Sequence, residues 1–249
     1  MKPKLKVKLP SGQRLLMIYS GVLTLVFAGT VLMGATSSAR RATFDQITVH
    51  RINVVEPDGT LRMVVSNAAE APGTPIKGHV YGRDDRKVAG IIFLNNEGTE
   101  NGGLIYDGSR GKDGKVSSHG HLSFDNYDQD QTLVLEANQE DTTRKSTYLQ
   151  INDPPGWDIE ELFKLQEADA TKPESAQQAV VKKFLASRPQ SQPRVFLGTR
   201  PDRSSNLVLR DAEGRKRIVI AVAADGSPVL RFLDADGKVI QQLPQTASH

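Results

Sequence analysis

The chain has 249 residues, with 32 basic and 29 acidic side chains, a formal charge of +3 and no cysteine. Disulfides, thiolate metal sites and a cysteine nucleophile are therefore excluded. The charge is divided unevenly: the first 41 residues hold seven Lys and Arg and no acid, which leaves 25 basic against 29 acidic residues and about −4 for the rest. The excess of basic residues thus belongs to the amino terminus, where it suits contact with anionic lipid, and it argues against a nucleic-acid partner for the remainder.

Residues 1–14 form a basic tail containing Lys2, Lys4, Lys6, Lys8 and Arg14. Residues 15–39 follow without a charged side chain, and Leu15 to Ala35 supplies 21 mostly apolar residues. A helix rises about 1.5 Å per residue and the hydrocarbon core is about 30 Å thick, so this segment predicts a transmembrane anchor with the lipid bilayer as its partner. A cleaved secretory signal is the competing reading. Its apolar core normally runs about 7 to 15 residues, shorter than this one. Five positive charges precede the span and only Arg40 and Arg41 follow closely, which predicts a bacterial inner-membrane protein with a cytoplasmic amino terminus and an exported carboxyl-terminal domain. Thr24, Thr30 and Ser20 are expected to bond back to the preceding turn.

Residues 42–152 read as a first β portion. Ile47, Val49, Ile52 and Val54 alternate with polar positions, Glu56-Pro57-Asp58-Gly59 is turn chemistry, and Leu61, Met63 and Val65 alternate again. Asn67 to Arg86, rich in Ala, Pro, Gly and charge, reads as a surface loop. Short strands are expected at 89–95, 104–107, around 117–124, at 131–137 and at 146–152, with turn signals about every 8 to 15 residues. Residues 153–193 change to a helical period, with Asp158-Ile159-Glu160-Glu161 fitting a capping box. The apolar positions of 174–187 recur at helical spacing, and Pro189 and Pro193 end this insert. Residues 194–244 form a second β portion in which DAEG, AADG and DADG separate five strands and Gly214, Gly226 and Gly237 fall 12 and 11 residues apart. The expected fold is therefore mainly β, as a hairpin meander or β-prism or β-roll-like repeats, with a short helical insert and one amino-terminal transmembrane helix.

The segments EPDGTLRMVVSN, FLNNEGTENGGLIYDG, HLSFDNYDQDQTLVL and LRDAEGRKRIVIAVAADGSPVLRFLDADGKVI resemble those of an uncharacterised group of bacterial membrane-anchored proteins with Asp-Gly turn β repeats. The resemblance covers most of residues 44–243 and implies no known activity.

Candidate chemistry is sparse. His119 and His121 lie two apart, so on a strand both project to one face about 7 Å from each other, and with Asp125, Asp128 or Asp130 they could hold a metal. The run 125–130 places oxygen ligands as calcium loops do, but lacks the glycine and the distal glutamate of an EF-hand. Glu97 and Glu100, with Asn101 beside them, crowd a glycine-rich turn where a carboxylate pair could act as acid and base; on most turns such groups bond the local N–H groups instead. Arg62, Arg215 and Arg217 are expected to pair with Asp58, Asp211 or Glu213 on the sheet surface. No nucleophile elbow, Walker loop or dinucleotide fingerprint occurs. The sequence thus favours a non-catalytic exported β domain for binding, scaffolding or assembly as a homo-oligomer, with no cofactor. The alternatives are an envelope hydrolase or carbohydrate-active enzyme using Glu97 and Glu100 or the His119/His121 region, and an accessory subunit of a larger membrane complex.

Overall fold

A computed structural model describes residues 11–35, 41–82 and 87–245, with side chains through residue 31 in the first of these segments. The chain divides into two compact units, Met1–Thr48 and Val49–His249.

The first unit contains helix α1, Ser11–Ala35, whose 25 residues reach about 37 Å, enough to cross a bilayer. Residues 11–31 are long and apolar enough to span. The helix opens four residues earlier than the apolar run, at Ser11 directly after Pro10, so the last part of the expected tail is helical. The Thr24 hydroxyl donates to the Ser20 carbonyl at 2.8 Å and the Thr30 hydroxyl to that of Phe27 at 2.8 Å, so both side chains find acceptors within the helix. Residues 1–10 and 36–40 of the expected tail and anchor lie outside the described residues.

The second unit is built on one antiparallel sheet. Its elements are β1 (Arg51–Val55), β2 (Leu61–Ser66), β3 (Thr74–Ile76), β4 (His79–Tyr81), β5 (Ala89–Leu94), β6 (Glu100–Arg110), β7 (Val116–Asp125), β8 (Gln131–Glu140), β9 (Arg144–Asp153), α2 (Glu160–Ala168), α3 (Glu174–Ala186), β10 (Gln192–Thr199), β11 (Ser205–Arg210), β12 (Lys216–Val222), β13 (Pro228–Leu233) and β14 (Val239–Leu243). Twelve strands pair in chain order, with only β3 and β4 standing aside as their own hairpin. The fold is thus the meander among the expected alternatives. The two β portions are one sheet, because β9 pairs directly with β10 across the α2–α3 insert.

Two sequence expectations are corrected. Ile47 and Val49 precede β1, which opens at Arg51 opposite Ser66, with the Asn67 amide donating to the His50 carbonyl at 3.0 Å just before it. The stretch from Asn67 is not all surface loop: Thr74, Pro75 and Ile76 are buried in the small hairpin, whose two-residue turn has Lys77 at φ 50° and Gly78 at φ 79°. Two positive φ values match the turn that follows strand twist. Residues 83–86 of that expected loop lie outside the described residues.

One turn geometry recurs between strands. At Glu56, Asn95, Gly111, Arg200, Asp211, Ala223 and Asp234, the first residue's carbonyl accepts from the amide three residues on, and its own amide donates to the carbonyl four residues on. The residue at the fourth position has positive φ, as at Gly226 (φ 88°), and is Gly in each case except Arg203. A side-chain oxygen fixes the turn in one of two ways. Asn95, Asp211 and Asp234, at the first position, accept from the amides two and four residues on. Asp58, Asp113, Asp202 and Asp225, at the third, accept from the amide at the fifth. The DxxG and xxDG spellings in the sequence are these two solutions to one turn.

The register places one aliphatic side chain from each strand of the twelve-stranded sheet in a single row: Ile52, Val65, Ile91, Leu104, Leu122, Leu135, Leu149, Leu197, Leu207, Ile220, Leu230 and Leu243. A neighbouring row on the same face carries Phe93, Phe124, Leu133, Ile151, Val195, Leu209, Ile218 and Phe232, and the rings of Phe93 and Phe124 stack at 5.9 Å. The row on the other side runs from Ala89 and Tyr106 through Ala137, Thr147 and Val222 to Pro228. None of the three rows carries a charge among the described residues. Much of this face is open: Leu197 is 52% exposed, Ile220 46% and Leu135 41%.

The opposite face is covered only in part. Val64, Ile92 and Leu94 bury there with Leu61 and Ile105 against them. Hairpin β3–β4 and α2 lie over this end of the sheet, and a cavity of about 370 Å³ between them is lined by Ile76, Ile105, Ile159 and Phe163.

Candidate functional site

On the partly covered face, β7 and β8 bring three ionisable side chains together. His121 stands opposite Glu136, and His119, two residues back along β7, shares their face. One carboxylate oxygen of Glu136 lies 2.7 Å from His121 Nδ1 and the other 3.0 Å from His119 Nε2, and the Asn138 amide donates to the latter at 3.3 Å. The imidazole rings are 6.0 Å apart. His121 is buried, and Glu136 keeps 12% of its side-chain exposure against 34% for His119, so the cluster opens to solvent on the His119 side. Tyr148 is the neighbour of Glu136 on β9; burial, with the Glu136 charge adding to it, pushes its phenol up. A hydrogen-bonding atom from each of His119, His121 and Glu136 lies within 4.8 Å of the other two, the spacing of groups that can ligate one cation.

The structure therefore brings the predicted His119 and His121 together and adds Glu136, which the sequence reading passed over. Asp125, Asp128 and Asp130 lie elsewhere. Asp125 closes β7 four residues beyond His121, roughly 13 Å along the strand. Asp128 pairs with Lys77 at 3.1 Å, and Asp130 Oδ1 accepts from the Gln131 amide at 2.8 Å.

The glycine-rich stretch after Asn95 divides into separate tasks. Gly98 closes a turn, while Gly102, in β6, takes φ 117° where a Cβ would stand 2.2 Å from the Ser123 carbonyl oxygen. Glu97 accepts the Tyr127 hydroxyl at 2.8 Å on the surface. Glu100 opens β6 on the wall of the 370 Å³ cavity, with Asp125 and Asp130 also on that wall, and Asn101 follows it half-buried in β6. Glu97 and Glu100 thus serve different surroundings.

The other charged groups hold the fold. Lys77 reaches Asp158 at 2.6 Å, Asp128 at 3.1 Å and Glu160 at 3.4 Å, and the Tyr81 hydroxyl donates to Glu160 at 2.9 Å. Hydrogen bonding to Asp158 raises the Lys77 ammonium against the pull of burial, and burial with the Glu160 bond pushes Tyr81 up to about 12. Asp158 Oδ1 accepts the Glu160 amide at 2.9 Å, but Glu161 turns to Arg188 at 2.5 Å, so the expected capping box is only half made. Arg215 and Arg217 pair with Asp211 at 2.8 and 3.4 Å as their spacing predicts, whereas Arg62 pairs with Glu56 at 3.6 Å instead of Asp58. Trp157 donates to the Pro189 carbonyl at 2.9 Å and meets Phe184 edge-on, closing the insert on itself.

No family model matches the sequence, and neither a curated protein nor a solved structure matches the chain.

Proposed function

We propose that this protein is a membrane-anchored assembly module of the bacterial envelope, held by α1 with its amino terminus in the cytoplasm, whose exported β domain catalyses nothing and associates with a second copy through the open apolar face of its sheet. The observation that carries this reading is the unbroken aliphatic row across twelve strands. Strands spaced about 4.8 Å apart and three uncharged rows about 7 Å apart give roughly 800 Å² of face, which equals the share of one partner in a stable interface. A face of that size exceeds what a monomer commonly leaves open. A second copy offers the same row, so two sheets can close face to face about 10 Å apart with aliphatic side chains between them. The excess of basic residues before the span over those after it supports the orientation.

The test is the mass of the untagged full-length chain in mild detergent, for the native sequence and for Leu197→Glu. The native chain is expected as a dimer or higher oligomer and the variant as a monomer that keeps its melting temperature. A monomeric native chain, or one that purifies with acyl chains over this face, would overturn the reading.

A further inference from the structure

We infer that His119, His121 and Glu136 form a binding site for one divalent transition-metal ion of the zinc class. Three observations carry it. The first is donor chemistry: two imidazoles and one carboxylate are the nitrogen and oxygen ligands that a borderline cation takes, and three protein ligands leave a position for water. The second is geometry. Ligand atoms about 2.0 to 2.1 Å from a tetrahedral ion stand about 3.3 Å apart. The two nitrogen–oxygen pairs lie at 2.7 and 3.0 Å through different oxygens of the one carboxylate, and one ligand atom from each residue lies within 4.8 Å of the other two, so the ion needs a small opening of these pairs, a turn of the carboxylate and an approach of the two rings. The strand positions that set this spacing belong to continuous β7–β8 pairing, so the ligands stand on rigid backbone.

The third observation is charge. Glu136 is largely withdrawn from water, and among the described residues no Lys or Arg pairs with it; its ion-pair partners are the two imidazoles. A carboxylate held there without a permanent positive partner is unfavourable, and a bound cation supplies that partner. The surroundings complete the site. Asn138 donates to the carboxylate and orients it, as outer groups do around metal ligands. The one-third exposed His119 gives the ion a way in, and Asp107, which faces His119 across β6–β7, is exposed on the same side. The site lies on the sheet face opposite the aliphatic row, so it stands or falls independently of the assembly reading.

The untagged full-length chain in mild detergent, stripped of metal by chelator, is titrated with Zn²⁺ by calorimetry and with Co²⁺ by visible absorption. The expected result is one ion per chain at micromolar or tighter affinity, a rise in melting temperature with zinc, and the intense bands of tetrahedral cobalt. Glu136→Gln and His119→Ala are each expected to weaken binding by roughly 100-fold or more, since each removes a ligand. His119 is exposed enough for its alanine variant to keep the fold, so that variant decides if Glu136→Gln unfolds. Absence of a stoichiometric ion, or binding unchanged in His119→Ala, overturns the inference; zinc binding lost in His119→Ala supports it.

Discussion

At Gly102 and Gly226 the same residue type answers two different demands. Gly226 has φ 88° with open space around it, so an alanine there meets only the intrinsic penalty of the left-handed region. Gly102 combines φ 117° with close approach, because an added carbon would lie 2.2 Å from the Ser123 carbonyl oxygen and 2.9 Å from Phe124 Cα. Gly226→Ala is therefore expected to destabilise by about 1 kcal/mol, and Gly102→Ala by about 3 kcal/mol or more through displacement of β6 from β7. Denaturant midpoints of the two variants check this; equal losses would refute the distinction. The turn aspartates show how local such effects are. Amide bonds from Thr143 and Arg144 hold the exposed Asp141 carboxyl down to about 2, and bonds at Thr60 and Ser227 lower Asp58 and Asp225 in the same direction.

Among the elements, hairpin β3–β4 is fastened to the insert by one cation. Lys77 lies at the hairpin tip and gathers Asp128 from the β7–β8 turn with Asp158 and Glu160 from the start of α2. Lys77→Met removes the charge and leaves the three carboxylates facing one another, so the expected loss is about 1 to 2 kcal/mol after allowance for partial exposure. Asp158 and Glu160 are both held below the ordinary carboxylate range, so that loss should shrink only as the melt is repeated well below pH ~4, where these two lose their charge; a pH-independent loss would show that the stem packing of Lys77 matters instead. The sequence showed the carboxyl-terminal strands well, since β10 to β14 begin and end within about three residues of the apolar runs that announce them. It hid β3 and β4 because each has three residues, too few for alternation to register, in a stretch dominated by Ala, Pro and Gly. Glu136 was hidden for another reason. It reads as an ordinary polar position in QTLVLEA, and only register reveals that it stands as far after the turn around Asp128 as His121 stands before it. The aliphatic row depends on register in the same way, which is why the apolar positions were legible one strand at a time but not as a surface.

Across the whole β unit, burial is graded. Val64, Ile92 and Leu94 are almost fully buried near the beginning of the sheet, Val134 and Val208 mark its middle, and β13 and β14 contain no buried residue. Amide exchange of the dilute protein is accordingly expected to be slowest in β5 and β6 and fastest in β14. On concentrating the sample, the sheet strands that carry the open row, from β1 to β14, should slow while the β3–β4 hairpin outside that sheet should not; equal slowing of both, or none, would count against closure by a second copy.

Because every sheet strand hydrogen-bonds only to those just before and just after it in the sheet order, the β unit resembles a ruler graduated in hairpins. Removing or duplicating one graduation shifts the far edge by about 10 Å while leaving the side-chain parity, and hence the greasy line along the ruler, in place. The reach of such a protein can therefore be lengthened or shortened by inheritance of whole hairpins without redesign of what remains.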